Sequence, residues 1–314
     1  MPAGVPTGSI LKAAAGDFAN DLDLTLEEVT YLLDLAGQVK ASPANYMGAL
    51  QGRSLSLLFE KPSLRTRLTF ELAMKQLGGD SILSNGVIGE REPLQDVARN
   101  LDRWTQGIVA RVFAQGTVDE LARWSKVPVV NALSDVYHPC QALADMLTLR
   151  EHFGGFGGLS LTFVGDGNNV AHSLMLSALR LGVNFSLATP PGYEAKPAII
   201  ARAAELAASS GARLKIGNNP EEAVAGANAV YTDVWASMGS EHEAAKRREE
   251  FRAYQVTETL FSLAAPDAIF MHCLPAHRGE EVTDEVIESP QSAVFDQAEN
   301  RLHTQKALLL MLLD

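Results

Sequence analysis

The 314-residue sequence contains only two cysteines, Cys140 and Cys273, and no Cys-x-x-Cys pair. So few cysteines exclude the disulfide framework of a small secreted protein and favour a reducing compartment, for which we predict the cytoplasm. No apolar run approaches the roughly 20 residues that a membrane-spanning helix needs. Residues 1–10 also lack the basic start and long apolar stretch of a signal peptide.

Histidine and positive charge are also scarce. The seven histidines are scattered without the spacing of metal ligands, so no metal site is predicted. The formal net charge of −12 excludes nucleic acid or an anionic membrane surface as the main partner. An anionic small substrate remains compatible, because a few arginines shielded from water in a cleft outweigh a diffuse acidic surface.

Hydrophobic residues make up 46% of the sequence and charged residues 20%, which is typical of a globular protein. Two domains of about 150 residues each are expected for this length. Short apolar runs alternate with amphipathic segments, which predicts an α/β fold of two domains, each a parallel β-sheet flanked by helices. The glycine-rich residues 154–158 indicate a hinge between a domain at 1–150 and a domain at 151–298. The predicted strands are 55–59, 107–113, 127–131, 159–164, 185–189, 229–232 and 268–272, and the predicted helices include 65–77, 118–125, 170–181 and 196–209.

The first chemical motif is Ser63-Leu64-Arg65-Thr66-Arg67, between a predicted strand and a predicted helix. Two hydroxyls, two guanidinium groups and the free amides of a helix N-terminus meet within five residues. These groups favour a phosphate or another anion, since the amides are unsatisfied and lie at the positive end of the helix dipole. The alternative is a solvated helix start that Ser63 merely caps.

The second motif is His138-Pro139-Cys140-Gln141, followed by an apolar helix. A histidine at this position can donate a hydrogen bond to a carbonyl oxygen, and Gln141 can do the same. A purely structural histidine is the alternative. No base is evident beside Cys140, which we therefore interpret as a buried thiol rather than a nucleophile.

The third motif, Gly165-Asp166-Gly167-Asn168-Asn169-Val170, resembles the start of a dinucleotide-binding fingerprint. Val170 occupies the third glycine position, however, and no acidic residue follows the next predicted strand. A pyrophosphate site is therefore disfavoured. Two amides at a helix start suit a carboxylate or the backbone of an amino acid better.

Two further motifs follow later strands. Asp233 precedes Ser237-Met238-Gly239 and offers a carboxylate for an ammonium group, with a hydroxyl close by in sequence. His272-Cys273-Leu274-Pro275 places a thiol at the carboxyl end of a strand, beside a turn shaped by proline. The alternative for Cys273 is an ordinary buried cysteine.

The ordered set of motifs resembles the aspartate/ornithine transcarbamylase superfamily, and within it the ornithine carbamoyltransferases, from about Leu24 to the C-terminal helix. The resemblance implies a carbamoyl phosphate-binding domain followed by an ornithine-binding domain, with a final helix at about 299–314 packing back on the first. It implies a homotrimer or a multiple of trimers, with each active site near a subunit boundary. It also implies a cofactor-free reaction in arginine metabolism that carbamoylates the side-chain amine of L-ornithine, giving L-citrulline and phosphate.

The resemblance further implies roles for individual residues. Arg65, Thr66 and His138 would polarise the carbonyl group, while Asp233 and Cys273 would position the amine. Carbamoyl phosphate would be held by Ser63, Leu64, Arg65, Thr66, Arg111, His138, Gln141, Cys273, Leu274 and Arg301. Ornithine would be held by Asn169, Asp233, Ser237 and Met238.

Two positions depart from the family pattern. Leu64 stands where threonine is frequent, which removes a hydroxyl but keeps a backbone amide. Val87 stands where many relatives carry a glutamine, on a loop that reaches the carbamoyl phosphate of a neighbouring subunit. Valine cannot make that polar contact, and we expect activity to persist without it because one neutral hydrogen bond contributes only about 0.5–1.5 kcal/mol.

Three other functions compete with this prediction. A transcarbamylase for putrescine, aspartate or an acylated ornithine would share the first two motifs, but Ser237-Met238-Gly239 resembles the loop for free ornithine. A nucleotide-dependent oxidoreductase would rest only on Gly165-Asp166-Gly167. A non-catalytic ligand sensor would be expected to lack some of the chemical residues, and the main ones are all present.

Overall fold

The computed structural model describes residues 10–236 and 243–314. It divides into two compact units, one comprising the residues up to Leu147 together with Glu299–Asp314, and the other comprising Thr148–Ala298. The parallel sheets flanked by helices predicted from the sequence are confirmed in both units. Among the described residues, no helix combines the length and the apolarity needed to cross a membrane.

The chain forms twelve α-helices and nine β-strands in the described residues, numbered here in chain order. Residues up to 153 form α1 (Leu26–Ala41), β1 (Ser54–Phe59), α2 (Arg65–Gln76), β2 (Asp80–Asn85), α3 (Leu94–Trp104), β3 (Gly107–Arg111), α4 (Gln115–Trp124), β4 (Val129–Leu133) and α5 (Pro139–Phe153). The later residues form β5 (Ser160–Val164), α6 (Asn169–Arg180), β6 (Asn184–Ala188), α7 (Pro197–Ser210), β7 (Leu214–Gly217), α8 (Pro220–Val224), β8 (Ala229–Thr232), α9 (Ala244–Glu250), α10 (Glu258–Phe261), β9 (Ile269–His272), α11 (Asp284–Ile287) and α12 (Val294–Leu313).

The first helix shows how the sequence sets an element boundary. The Thr25 hydroxyl accepts a hydrogen bond from the Glu28 backbone N–H at 3.2 Å, and the Glu28 carboxylate accepts one from the Thr25 N–H at 2.6 Å. This reciprocal capping box satisfies two amides that the helix itself cannot pair. The start of α1 is therefore encoded locally.

The sheet of the first unit is parallel, with strand order β2-β1-β3-β4. The chain moves from β1 to one neighbour, β2, and then returns to the other side of β1 to form β3. Such a reversal opens a crevice at the carboxyl ends of the two central strands, where ligands bind in open α/β sheets. The strands β1 and β3 are buried on both faces, and α12 contributes the fully buried Leu308, Leu309 and Leu310 to this core.

The sheet of the second unit is also parallel, with strand order β7-β6-β5-β8-β9. Its reversal lies between β5 and β8. The core on one side of this sheet includes Val164, Val230 and Phe270, and Phe163 stacks on Tyr231 with ring centroids 5.6 Å apart. The turns after β5, β8 and β9 therefore emerge at one edge of the sheet, and these turns carry the third, fourth and fifth sequence motifs.

Seven of these elements were not predicted from the sequence, namely β2, α3, β7, α8, α9, α10 and α11. The strands β2 and β7 lie at sheet edges and are largely exposed, so they lack the continuous apolar run of a buried strand. The helix α3 has only Ala98 fully buried, but Leu94, Val97 and Leu101 give it an apolar face that a pattern-based prediction could have found. The two edge strands take their structure from pairing with neighbours, which a local hydrophobic pattern does not reveal.

Gly167 lies where two turns of the second unit approach closely. Its N–H donates to the Tyr193 carbonyl at 2.9 Å, and a Cβ atom on Gly167 would lie 2.3 Å from the Ala195 nitrogen. That contact is with backbone and cannot be relieved by rotating a side chain. The glycine is therefore required by space rather than by an unusual φ.

We expect Gly167→Ala to lower the free energy of unfolding by about 1–3 kcal/mol, because the inserted methyl group overpacks the turn. Urea unfolding of the purified protein measures this. Gly157→Ala is the matched control, since no other described atom lies within 4 Å of a Cβ at that position. Equal stability of the two variants would contradict the close approach.

Candidate active site

The loop from β1 to α2 exposes a helix N-terminus without a capping side chain. The N-cap residue of α2 is Leu64, and no described side chain makes a capping hydrogen bond there. Ser63 and Arg65 are half-buried, whereas the Leu64 side chain is 69% exposed. The interpretation of Ser63 as an ordinary helix cap is therefore wrong, and the first amides of α2 are available to an anion.

Two buried guanidinium groups converge on the first turn of α2. Arg111, the last residue of β3, lies with Nη1 3.5 Å from the Thr66 hydroxyl, and Nη2 of Arg301 on α12 donates to the same hydroxyl. All three side chains are nearly inaccessible to solvent. Two cations held together in a buried position favour an anionic ligand, whose charge would offset their mutual repulsion.

His138 lies immediately before α5 and is almost fully buried. Burial lowers the pKa of His138 well below its usual value, and the positive charges of Arg301 and Arg111 lower the pKa further. The imidazole is therefore neutral near pH 7. A neutral imidazole can still donate one N–H to a carbonyl oxygen without adding a third positive charge to the cluster.

Gln141 is oriented by a carboxylate that the sequence did not single out. Its Nε2 group donates to Asp145 Oδ1 at 2.8 Å, and both side chains are buried one helical turn apart on α5. Because a carboxylate accepts, the Gln141 oxygen must point away from it, and Oε1 has no hydrogen-bond partner among the described residues. That oxygen can accept a hydrogen bond from an amide group of a ligand.

Cys140, between His138 and Gln141, is also buried. Its Sγ donates to the Asn131 carbonyl oxygen at 3.4 Å. Burial raises the pKa of Cys140 to about 12, so the thiolate is negligible near neutral pH. The structure therefore supports its interpretation as a packed thiol.

The second unit brings together a carboxylate, a carboxamide and a thiol at the carboxyl edge of its sheet. Asp233 follows β8, and its Oδ2 accepts a hydrogen bond from Asn168 Nδ2 at 2.8 Å. Cys273 follows β9 and its Sγ lies 3.1 Å from Asp233 Oδ1. Asn168 also caps α6 through its Oδ1, which accepts from the Val170 and Ala171 amides. One helix cap therefore fixes the orientation of the Asp233 carboxylate.

A partly buried ion pair lies beside this cluster. Arg247 on α9 donates to Asp166 Oδ2 at 2.7 Å and to the Trp235 carbonyl at 2.8 Å, and its guanidinium lies over the Tyr193 ring. Burial raises the pKa of Asp166, and the charge of Arg247 opposes that shift. Arg247 thereby connects the turn after β5 to the segment after β8.

His272 adds a third potential metal ligand to Asp233 and Cys273, with the ligand atoms within 4.8 Å of one another. The scattered histidines of the sequence did not indicate this proximity. Both ring nitrogens are nevertheless engaged, since Nδ1 accepts from the Leu274 N–H at 2.8 Å and Nε2 lies 3.2 Å from Glu281 Oε1. A metal ion on this ring would have to replace one of these two bonds.

Comparison with known proteins matches both units to one family. The carbamoyl-P binding domain of aspartate/ornithine carbamoyltransferase matches residues 17–151, and the Asp/Orn binding domain matches residues 157–312. The chain belongs to the aspartate/ornithine carbamoyltransferase family.

Relatives within this family are similar over nearly their whole length. An ornithine carbamoyltransferase of Acidothermus cellulolyticus is 50% identical over 300 residues, covering 95% of this chain and 96% of that protein. One from Thermus thermophilus is 53% identical over 291 residues, with 91% and 93% covered. The solved structure of the Pyrococcus furiosus ornithine carbamoyltransferase superposes with a TM-score of 0.94 at 47% identity, covering 97% of this chain and 99% of that one.

The structure places the site residues predicted from the carbamoyltransferase resemblance in two groups. The first unit contains Ser63, Leu64, Arg65, Thr66, Arg111, His138, Gln141 and Arg301, and the second contains Asn169, Asp233, Cys273 and Leu274. Ser237 and Met238 lie outside the described residues. In the second unit the side chain of Asn168, which was not among the predicted site residues, bonds Asp233.

Sequence reasoning missed three residues that support these groups. Asp145 lies one helical turn after Gln141, a spacing that could have signalled its contact. Asn168 is a favourable N-cap before an apolar helix and was recognisable on that ground. Arg247 and Asp166 are 81 positions apart in the sequence, so no local pattern indicates their contact.

His138 gives the first unit a specific pH dependence. The unfolded chain binds a proton at this residue near pH 6.5, whereas the folded protein does so only at a much lower pH. Above about pH 6.5 this residue therefore leaves the free energy of unfolding unchanged. Below that pH the free energy of unfolding decreases by up to about 1.4 kcal/mol per pH unit.

We expect His138→Asn to lose less stability than the unmodified protein between pH 7.5 and 5.5, as measured by urea unfolding at both values. His277→Asn serves as the control, because that histidine is exposed. An unchanged pH dependence in His138→Asn would show that this residue is not the buried neutral base described above.

Proposed function

We propose that this enzyme transfers the carbamoyl group of carbamoyl phosphate to the side-chain amine of L-ornithine, giving L-citrulline and phosphate, in arginine metabolism. The observation that carries this proposal is the Asp233 carboxylate held between Asn168 and Cys273. It offers a fixed counter-charge to an ammonium group. The names of the relatives at about 50% identity support the same substrate.

In this proposal residues 1–150 with 299–314, which contain the four-stranded sheet, form the carbamoyl phosphate-binding domain. The N-terminal amides of α2 and the guanidinium groups of Arg65, Arg111 and Arg301 hold the phosphate. The Arg65 guanidinium and the neutral His138 polarise the carbonyl group, and Gln141 Oε1 accepts from the carbamoyl N–H. Preorganised donors of this kind stabilise the charge that develops on the carbonyl oxygen in the transition state.

Residues 151–298 form the ornithine-binding domain. Asn169, Asp233, Ser237 and Met238 hold the substrate, and Asp233 with Cys273 positions the side-chain nitrogen. An alkylammonium group ordinarily loses its proton only near pH 10, so the site must present it in the uncharged form. Positioning and electrostatics suffice for this, and no covalent role is assigned to Cys273.

The reaction then proceeds without a covalent enzyme intermediate. The uncharged nitrogen donates its electron pair to the carbonyl carbon, and a carbon–nitrogen bond forms as charge accumulates on the carbonyl oxygen. The carbon–oxygen bond to phosphate breaks, the phosphate takes the bonding electrons, and the surplus proton of the nitrogen passes to the phosphate, which leaves as the dianion. Arg65 and His138 act on the carbonyl oxygen, and the arginine cluster stabilises the departing phosphate dianion.

We further propose that the enzyme is a cytoplasmic homotrimer. Free thiols at both Cys140 and Cys273 are compatible with a reducing compartment. An apolar surface on the first unit supports self-association: Leu68 and Leu72 on α2 are 44% and 41% exposed, and Ile82 on the edge strand β2 is 62% exposed. Exposed apolar side chains next to an open sheet edge are typical of an interface.

We expect Asp233→Asn to weaken ornithine far more than carbamoyl phosphate, because only the ammonium group loses its counter-charge. Steady-state kinetics with citrulline detection should show kcat/KM for ornithine reduced by at least about 100-fold, with the KM of carbamoyl phosphate nearly unchanged. Asp267→Asn, an exposed aspartate of the same unit, is the control. Faster carbamoylation of putrescine, aspartate or N-acylated ornithine by the unmodified protein would overturn the substrate assignment.

We expect light scattering of the unmodified protein to give three times the chain mass of 33.7 kDa. Leu68→Glu should lower this mass, because a carboxylate in an apolar interface must be desolvated. Leu263→Glu, equally exposed at 42% but in the other unit, should leave the mass unchanged. A trimer that tolerates Leu68→Glu would remove this surface from the proposed interface.

A further inference from the structure

His272, the last residue of β9, is fully buried and uses both ring nitrogens. Nδ1 accepts a hydrogen bond from the Leu274 backbone N–H at 2.8 Å, and Nε2 lies 3.2 Å from Glu281 Oε1. Because Nδ1 accepts, the proton of the neutral ring is on Nε2, which donates to the carboxylate. The two contacts therefore determine the tautomer.

Glu281 is also fully buried, and its Oε1 accepts a second hydrogen bond from the His277 N–H at 2.5 Å. The His272–Glu281 pair thus binds the amides of Leu274 and His277, near the two ends of the turn 273–277. Buried backbone amides are rarely left unpaired, and here side chains supply the acceptors that the sheet does not.

This turn has an unusual backbone. Leu274 has a φ of +56°, and it is the single non-glycine residue with positive φ in the described part of the chain. A leucine side chain disfavours this conformation, so the surrounding contacts must hold it. The hydrogen bond from its own N–H to His272 is such a contact. Cys273, one position earlier, has its sulfur 3.1 Å from Asp233.

We propose that His272 and Glu281 are positioning residues for carbamoyl transfer: they do not touch the substrate, but they hold the Cys273–Leu274 backbone in the conformation that the amine requires. This inference rests on the proposed assignment of Asp233 and Cys273 to the ornithine site. Strained backbone is a frequent feature of such sites, and it persists only where neighbours over-determine it.

Two substitutions of His272 separate its two contacts. Asparagine places a carboxamide near the Nδ1 position, where its oxygen can accept from the Leu274 N–H. Glutamine places a carboxamide near the Nε2 position, where its NH₂ group can donate to Glu281. Each variant keeps one bond and loses the other, so a general loss of stability should affect both variants similarly.

We expect His272→Gln to lower kcat about 100-fold, because the reacting groups lose their alignment, with the KM of ornithine changed by less than about threefold. His272→Asn should lower kcat by less than about tenfold. Glu281→Gln keeps an acceptor oxygen for both donors and should retain activity close to that of the unmodified enzyme. Hydrogen exchange of a peptide containing Leu274, measured by mass spectrometry, should accelerate in His272→Gln and not in His272→Asn.

Equal losses of kcat in the asparagine and glutamine variants, or unchanged exchange at Leu274 in His272→Gln, would overturn the positioning role. Faster exchange with unaltered kinetics would show instead that the turn is held as described but does not serve the reaction. That result would reject the assignment of Cys273 to the active site while leaving carbamoyl transfer itself, measured on the unmodified enzyme, intact.

Discussion

A helix that follows a buried parallel strand begins with amides that nothing in the helix can satisfy, and most of the site chemistry in both units derives from this constraint. In the first unit the amides of α2 have no side-chain cap and remain available to a ligand. In the second unit Asn168 caps α6 and, with its remaining amide group, orients Asp233. Similar geometry therefore produces a helix start without a side-chain cap in one unit and a fixed carboxylate in the other.

Buried charge is distributed to match these two roles. Arg111 and Arg301 both contact Thr66, and their positive charge, added to burial, keeps His138 neutral. In the second unit Asp166 is bonded to Arg247 and Asp233 is bonded to Asn168. The overall charge of −12 thus says little about either site, because a few desolvated groups determine the local field.

The parts of this structure that the sequence predicts are those in which local pattern and global fold agree. The strands β1, β3, β5 and β8 are buried apolar runs, and the motifs at their carboxyl ends reach the sheet edge because parallel strands deliver every such turn to one side. The edge strands β2 and β7 are not predicted, because their side chains are largely exposed and do not form the apolar run of a buried strand. Partnerships between distant residues, such as Asp166 with Arg247, depend on packing that no local window contains.

The same limit explains why the sequence did not single out Asn168. Asn168 is the N-cap of α6 and Asn169 is the first residue of that helix, and the sequence alone does not state which side chain bonds Asp233. The helix cap determines which side chain contacts Asp233. Asn168 lies outside the helix with extended backbone, so its side chain reaches both the first amides of α6 and Asp233. Asn169 is already helical.

The burial of Cys140 has a consequence for the durability of the enzyme. Oxidants and electrophiles attack thiolates, and a sulfur whose pKa is near 12 offers almost none of that species in the cell. Cys140 lies between His138 and Gln141, where a sulfinic or sulfonic acid would introduce a bulky anion into tightly packed surroundings. By keeping this thiol protonated and enclosed, the fold protects the helix start at α5 from an irreversible chemical lesion without any dedicated repair system.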